Sequence, residues 1–161
     1  MKWKMEVKNL LKEMQKNDKE QYKLEKMKNL MGDAGYDNGS RNKRIKEEYN
    51  VNPIIDIVHR WDKTEKYREI ENQPIAYTEE GEVFYIVDLN NYEKMKYLGY
   101  DRENNALRYT RHNTGKKIYR IPLEKDYRIF TSVARDSKKF KKKYKMRTEI
   151  ERLNGRIDRD Y

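Results

Sequence analysis

Tyr144, Arg147 and Glu151 stand at i, i+3 and i+7, a spacing that stacks a phenol, a guanidinium and a carboxylate on one face of an α-helix. Around them, residues 138–147 hold six Lys and one Arg and no acid. A strong positive potential beside a carboxylate suits a phosphodiester and a divalent metal ion together: the cations hold the phosphate, and the carboxylate oxygens hold the metal. The plainer alternative is a solvated amphipathic helix end with a charge run. The other carboxylate of interest is Asp33, in Gly32-Asp33-Ala34-Gly35-Tyr36-Asp37. It follows a short apolar stretch, where an Asp can hold a metal or simply cap the turn ahead of it.

These residues need elements to position them. Met146, Ile150, Leu153 and Ile157 recur at i, i+4, i+7 and i+11, so residues 137–158 read as a helix that buries this stripe. Glu149 lies about 200° around the helix from Glu151 and faces elsewhere. Residues 26–32 alternate apolar and polar positions and read as a strand ending at Asp33. Gly35, Asp37, Asn38 and Gly39 form a turn cluster, and residues 40–49 have helical propensity. Residues 51–58, rich in β-branched side chains, read as a buried strand. Strand, helix and strand over about thirty residues imply a parallel pair with a right-handed crossover. Asp33 then sits at a carboxyl strand end, where open α/β sheets place their sites. His59, just after the second strand, reads as a polar surface residue. Upstream, Trp3, Val7, Leu10, Leu11 and Met14 fall at helical spacing, and residues 17–25 are polar.

The middle of the chain changes character. Residues 62–72 are polar and irregular or briefly helical in expectation. Residues 83–89 read as a buried strand, residues 95–100 and 106–110 as a hairpin around 101–105, and residues 117–121 as a strand closed by Pro122. A small antiparallel sheet with one wet face is expected. Tyr97, Tyr100, Arg102, Arg108, Tyr109, Arg111, Tyr119 and Arg120 interleave rings and cations. They can serve single-stranded nucleic acid or, as the favoured reading, pack a sheet with a charged exterior.

Composition narrows the class. With 41% charged and 35% apolar residues, and 14 Tyr against 3 Phe, the core must be thin and lean on tyrosine. The net charge of +10 fits a polyanionic partner better than a small-molecule substrate. The absence of cysteine excludes disulfides and thiolate metal sites. No apolar run approaches a membrane span and no hydrophobic leader opens the chain, so the expectation is a soluble cytoplasmic protein without a membrane partner.

The string 144–156, with Tyr144-x2-Arg147-x3-Glu151, resembles the signature around the third acidic residue of bacterial insertion-sequence transposases of the DDE type. The block Gly32–Asp37 is similar to the segment around that family's second catalytic aspartate. Both blocks, in the family's order and with a β-rich stretch between them, cover roughly residues 26–161. The resemblance implies an α+β fold: a partial RNase H-like core (strand-helix-strand plus C-terminal helix) with a β-rich antiparallel insertion. It divides a single truncated catalytic domain, 1–161, into 1–60 (N-terminal helix and strand-helix-strand), 61–130 (insertion) and 131–161 (basic helix). It implies DNA strand cleavage and transfer with Mg2+ or Mn2+ held by clustered carboxylates. Asp33 and Glu151 match two of these ligands. Tyr144 and Arg147 match residues that support the site and contact DNA phosphates, and Lys141, Lys142, Lys143 and Arg152 extend that contact surface.

Two departures qualify the match. The family's first aspartate lies on an upstream strand that nothing in residues 1–32 supplies; Asp18 sits in a polar run. The lysine expected seven residues after the glutamate is Asp158 here. The expectation is therefore a transposase piece that is inactive alone, with two ligands that could hold a metal weakly. Its implied partners are transposon ends, a separately encoded N-terminal fragment, or a second copy, at a nucleoid-associated location. The competing classes are a non-catalytic basic DNA-binding or regulatory protein derived from a transposase, and a single-stranded nucleic-acid module.

Overall fold

The computed structural model describes residues 27–160, apart from the side chains of residues 150, 151 and 153–160. The amphipathic helix expected over residues 3–16, the polar run 17–25 and Asp18 lie outside the described residues, as do the side chains of Ile150, Leu153, Ile157 and Asp158. The fold is α+β, with two α-helices and nine strands among the described residues.

The first unit is β1 (Asn29–Gly32), α1 (Gly39–Tyr49) and β2 (Asn52–Ile55). The strands pair in parallel, with Gly32 opposite Ile55, as the crossover argument requires. Both are shorter than the sequence suggests. Asn38 caps α1 by accepting from the Arg41 N–H at 3.1 Å, and Asn50 ends it in the left-handed region at φ 50°. Gly32 lies close to the neighbouring strand: a Cβ there would come within 3.2 Å of Ile55 Cγ1, so the Ile55 side chain would have to shift. Asn52 N–H donates to Lys28 O, so by alternation the Pro53 nitrogen faces away from β1, where its missing N–H costs no ladder bond.

The middle forms two antiparallel sheets where one was expected. The first runs β3 (Arg68–Glu69), β4 (Ile75–Tyr77), β5 (Val83–Asp88) and β6 (Asn91–Lys94). The second runs β7 (Lys96–Asp101), β8 (Ala106–Thr110) and β9 (Ile118–Pro122). Residues 62–72 are irregular as expected, with turns at 63–64 and 71–72, apart from β3. β5 is not the buried strand expected: Val83 is buried, but the strand becomes half-exposed and then exposed towards Val87 and Asp88. The 101–105 hairpin forms as expected. Asp101 accepts from Asn104 and from Arg120 Nε at 2.9 Å, and the Arg120 guanidinium holds its carboxyl down at about 2.

The larger core belongs to this region. Ile75, Val83, Leu107, Tyr109, Ile121 and Phe130 pack together, with Tyr77 tilted on Phe130 and Tyr97 on Tyr109. The interleaved rings therefore serve packing: Tyr109 is buried, Arg111 lies over the Tyr85 ring and pairs with Glu93, and Arg120 pairs with Asp101. Nor does the region stand apart from the first unit. Asn42 of α1 donates to Tyr127 O at 3.1 Å, and the Tyr127 hydroxyl donates to Glu47 at 2.8 Å.

Residues 131–135 are buried without regular structure and lead into α2 (Lys138–Asp160). Ser137 caps this helix, its Oγ accepting from Phe140 N–H at 3.1 Å. At the start of α2 the buried face differs from the expected stripe at Met146, the one stripe residue whose side chain is described. Phe140 is buried against Ile54 and Val133 with Tyr144 beside it, while Met146 is 49% exposed. No helix among the described residues is long and apolar enough to cross a membrane.

Candidate functional site

Asp33 follows the last residue of β1 and faces water. Its side chain is 62% exposed, and Oδ1 accepts from the Gly35 N–H at 2.9 Å as the cap of a 3-10 turn, Ala34–Tyr36. Capping and site roles are compatible here, because the cap uses Oδ1 alone and the side chain stays exposed. Oδ2 lies 3.8 Å from Arg147 Nη2 of α2. Arg147 Nη1 donates to the Tyr144 hydroxyl at 3.0 Å, and the Tyr144 ring stacks on Phe140 at 6.3 Å. The chain of contacts Phe140, Tyr144, Arg147, Asp33 thus runs from the core to the solvent-facing carboxylate. Burial raises the Tyr144 phenol above its ordinary value, with the nearby Asp56 carboxylate adding to the effect, so it stays a neutral partner for Arg147.

Glu151 falls on α2 one turn beyond Arg147, and its side chain lies outside the described residues. Glu149 points to solvent, 4.0 Å from Lys145. Lys141, Lys142 and Arg152 are exposed and Lys143 is half-buried. His59 is exposed near Glu79 and Glu80, at 3.4 and 3.5 Å, consistent with its reading as a surface residue.

Two groups of residues escape the sequence reading. The first is Asp56. Because Gly32 pairs with Ile55, Asp33 and Asp56 are the next residues on neighbouring parallel strands, at one carboxyl edge. That equivalence was legible once the two strands were aligned end to end. Asp56 also lines a cleft of about 510 Å3 together with His59, Glu80, Asp136 and Tyr144. Burial raises the Asp136 carboxyl in this cleft.

The second is a buried ion cluster. Arg128 Nη1 reaches Asp37 Oδ2 at 2.9 Å and Val58 O at 2.8 Å, and its Nη2 bonds Glu79. Arg135 donates to Ile55 O and to Arg128 O, with Asp37 Oδ1 at 3.6 Å. Burial depresses the Arg135 guanidinium to about 10, against the pull of Asp37. Burial alone would push Glu79 up, but the N–H groups of Arg60 and Trp61 and the charge of Arg128 carry it below its ordinary value. The cluster ties the Asp33–Asp37 loop, the end of β2 and the approach to α2 into one unit. It therefore fixes where Asp33 and Arg147 meet. Its only advance signal is that Arg128 and Arg135 flank an otherwise uncharged run, residues 129–134.

For a hard divalent ion, Asp33 Oδ2 is a suitable oxygen donor at an open edge. Among the described residues, no three His, Cys, Asp or Glu converge. Comparison with protein-family models, curated proteins and solved structures returned no match to this chain.

Proposed function

We propose that the chain is a catalytic-domain piece of a DDE-type transposase, acting on the phosphodiesters of transposon-end DNA, with β1, α1, β2 and α2 as part of an RNase H-like core. One observation carries the reading. The two blocks that resemble the family are separated by more than a hundred residues of chain, yet Arg147 of one stands 3.8 Å from Asp33 of the other, at a carboxyl strand end. Asp33, with Glu151, would hold Mg2+ or Mn2+. Arg147, supported by Tyr144, binds and orients a DNA phosphate, and Lys141, Lys142, Lys143 and Arg152 extend the phosphate track along α2. When bound, the metal supplies activation of the attacking hydroxyl and stabilisation of the leaving oxygen. No residue of this sequence matches the family's first aspartate, so Asp33 and Glu151 would supply two of the family's three carboxylates.

Paramagnetic broadening by Mn2+ tests this. Broadening should centre on the amides of residues 33–35 and 147–151, and weaken in both Asp33→Asn and Glu151→Gln. Broadening spread over the surface, indifferent to both substitutions, removes the metal reading.

A basic DNA-binding or regulatory protein of the same ancestry is the second reading. It is favoured by the exposure of Lys138, Lys139, Lys141, Lys142 and Lys145 on α2, with no acid in the first turn. It requires duplex affinity that EDTA leaves unchanged.

A further inference from the structure

Arg147 is a cation held beside a carboxylate that the proposed function assigns to another cation. Its side chain is 19% exposed against 62% for Asp33, so the outward carboxylate takes its counter-ion from the helix behind it. The contact is an ion pair without a hydrogen bond: 3.8 Å separates Nη2 from Oδ2, whereas Nη1 is bonded to the Tyr144 hydroxyl at 3.0 Å. Moving Nη2 away from Asp33 therefore breaks no hydrogen bond between them, while Tyr144 keeps the guanidinium at the site.

We propose that Arg147 is the resident counter-ion of Asp33, and that a phosphodiester bound at α2 draws the guanidinium off Asp33 and opens that carboxylate to a divalent cation. The inference rests on Asp33 being a metal ligand and goes beyond it, because it assigns a linkage between the two kinds of ligand. A divalent ion at Oδ2 would face the guanidinium at a separation where like charges repel by more than thermal energy at a protein surface. The guanidinium fork matches two phosphate oxygens, a closer geometric match than the single Asp33 oxygen at 3.8 Å. The anion and the cation then raise each other's affinity by one shared factor, as linkage requires.

The test titrates Mn2+ into the full chain, with and without a short DNA duplex, following the amides of residues 33–35. In the wild type, DNA should tighten Mn2+ binding about tenfold, within the usual range of such linkage. Arg147→Gln should bind Mn2+ tightly without DNA and gain little from it. Arg147→Lys, which keeps the charge, should bind Mn2+ as weakly as the wild type without DNA. If Arg147→Gln is no tighter than the wild type while Asp33→Asn abolishes the broadening, the linkage is overturned and the metal reading stands. If no variant shows broadening near Asp33, both fall. The reciprocal measurement needs no Arg147 variant: saturating Mn2+ should tighten DNA binding by the same factor in the wild type and not in Asp33→Asn. Equal effects in the two overturn the linkage.

Discussion

The Arg135 guanidinium is buried, so each of its nitrogens must find an oxygen within the protein. It does so on main-chain carbonyls, those of Ile55 and Arg128. These belong to a β-strand end and to a half-buried turn, both of which leave carbonyls without a sheet partner. The side chain therefore replaces a missing ladder, and Asp37 supplies the balancing charge. Arg135→Met removes the donors and leaves Asp37 with Arg128 as its remaining buried cation, so it should cost about 3–5 kcal/mol. Asp37→Asn should cost a similar amount. The double variant should cost less than the sum by about 1–3 kcal/mol, because the pair leaves together. Urea denaturation of the four proteins measures this; strict additivity would mean the two residues act separately.

At the scale of elements, α2 shows a conflict between folding and charge. Its first turn holds lysines and no acid, at the end of a helix where the macrodipole is positive. Ser137 relieves the unbonded N–H groups but not the charge. Lys138→Glu should therefore stabilise the fold by about 0.3–1 kcal/mol in thermal melting, and should weaken duplex binding in fluorescence anisotropy. A variant that binds DNA undiminished would show that the phosphate track does not extend back to the start of α2. The helix itself was legible from its periodicity, but the face buried in its first two turns was not. The sequence stripe passes through Met146, whereas the packing partners Ile54 and Val133 meet Phe140 and Tyr144 in its first two turns. Periodicity reports which residues are apolar, not which turns of the helix have something to lie on. The β1, α1, β2 unit is legible because an alternating apolar stretch, a turn cluster, a helical segment and a β-branched run follow one another in the order of a parallel crossover. The ion cluster was hidden because Asp37, Glu79, Arg128 and Arg135 converge from distant positions in a chain where charge is everywhere.

At the scale of the whole molecule, the expectation of a tyrosine-dependent core has a consequence at high pH. Burial pushes the phenols of Tyr77 and Tyr127 up to about 12 and that of Tyr109 well above its ordinary value. Each raised phenol keeps its proton in the fold after the unfolded chain has released it. Its stabilisation is therefore complete below about pH 10 and is lost as pH rises through the folded values. Arg135, depressed to about 10, works the other way, since the unfolded chain would hold its proton longer. Three phenols outweigh one guanidinium, so the fold should fail cooperatively in alkali, with tyrosinate absorbance rising in a step as the buried rings are exposed. Tyr109 separates burial from bonding, because its hydroxyl is buried with no hydrogen-bond partner among the described residues. Tyr109→Phe keeps the ring and removes an unsatisfied group, so it should stabilise the protein by about 1 kcal/mol at neutral pH and move the alkaline step upward. If Tyr109→Phe destabilises instead, the hydroxyl is bonded in solution, and the alkaline step must be assigned to Tyr77 and Tyr127.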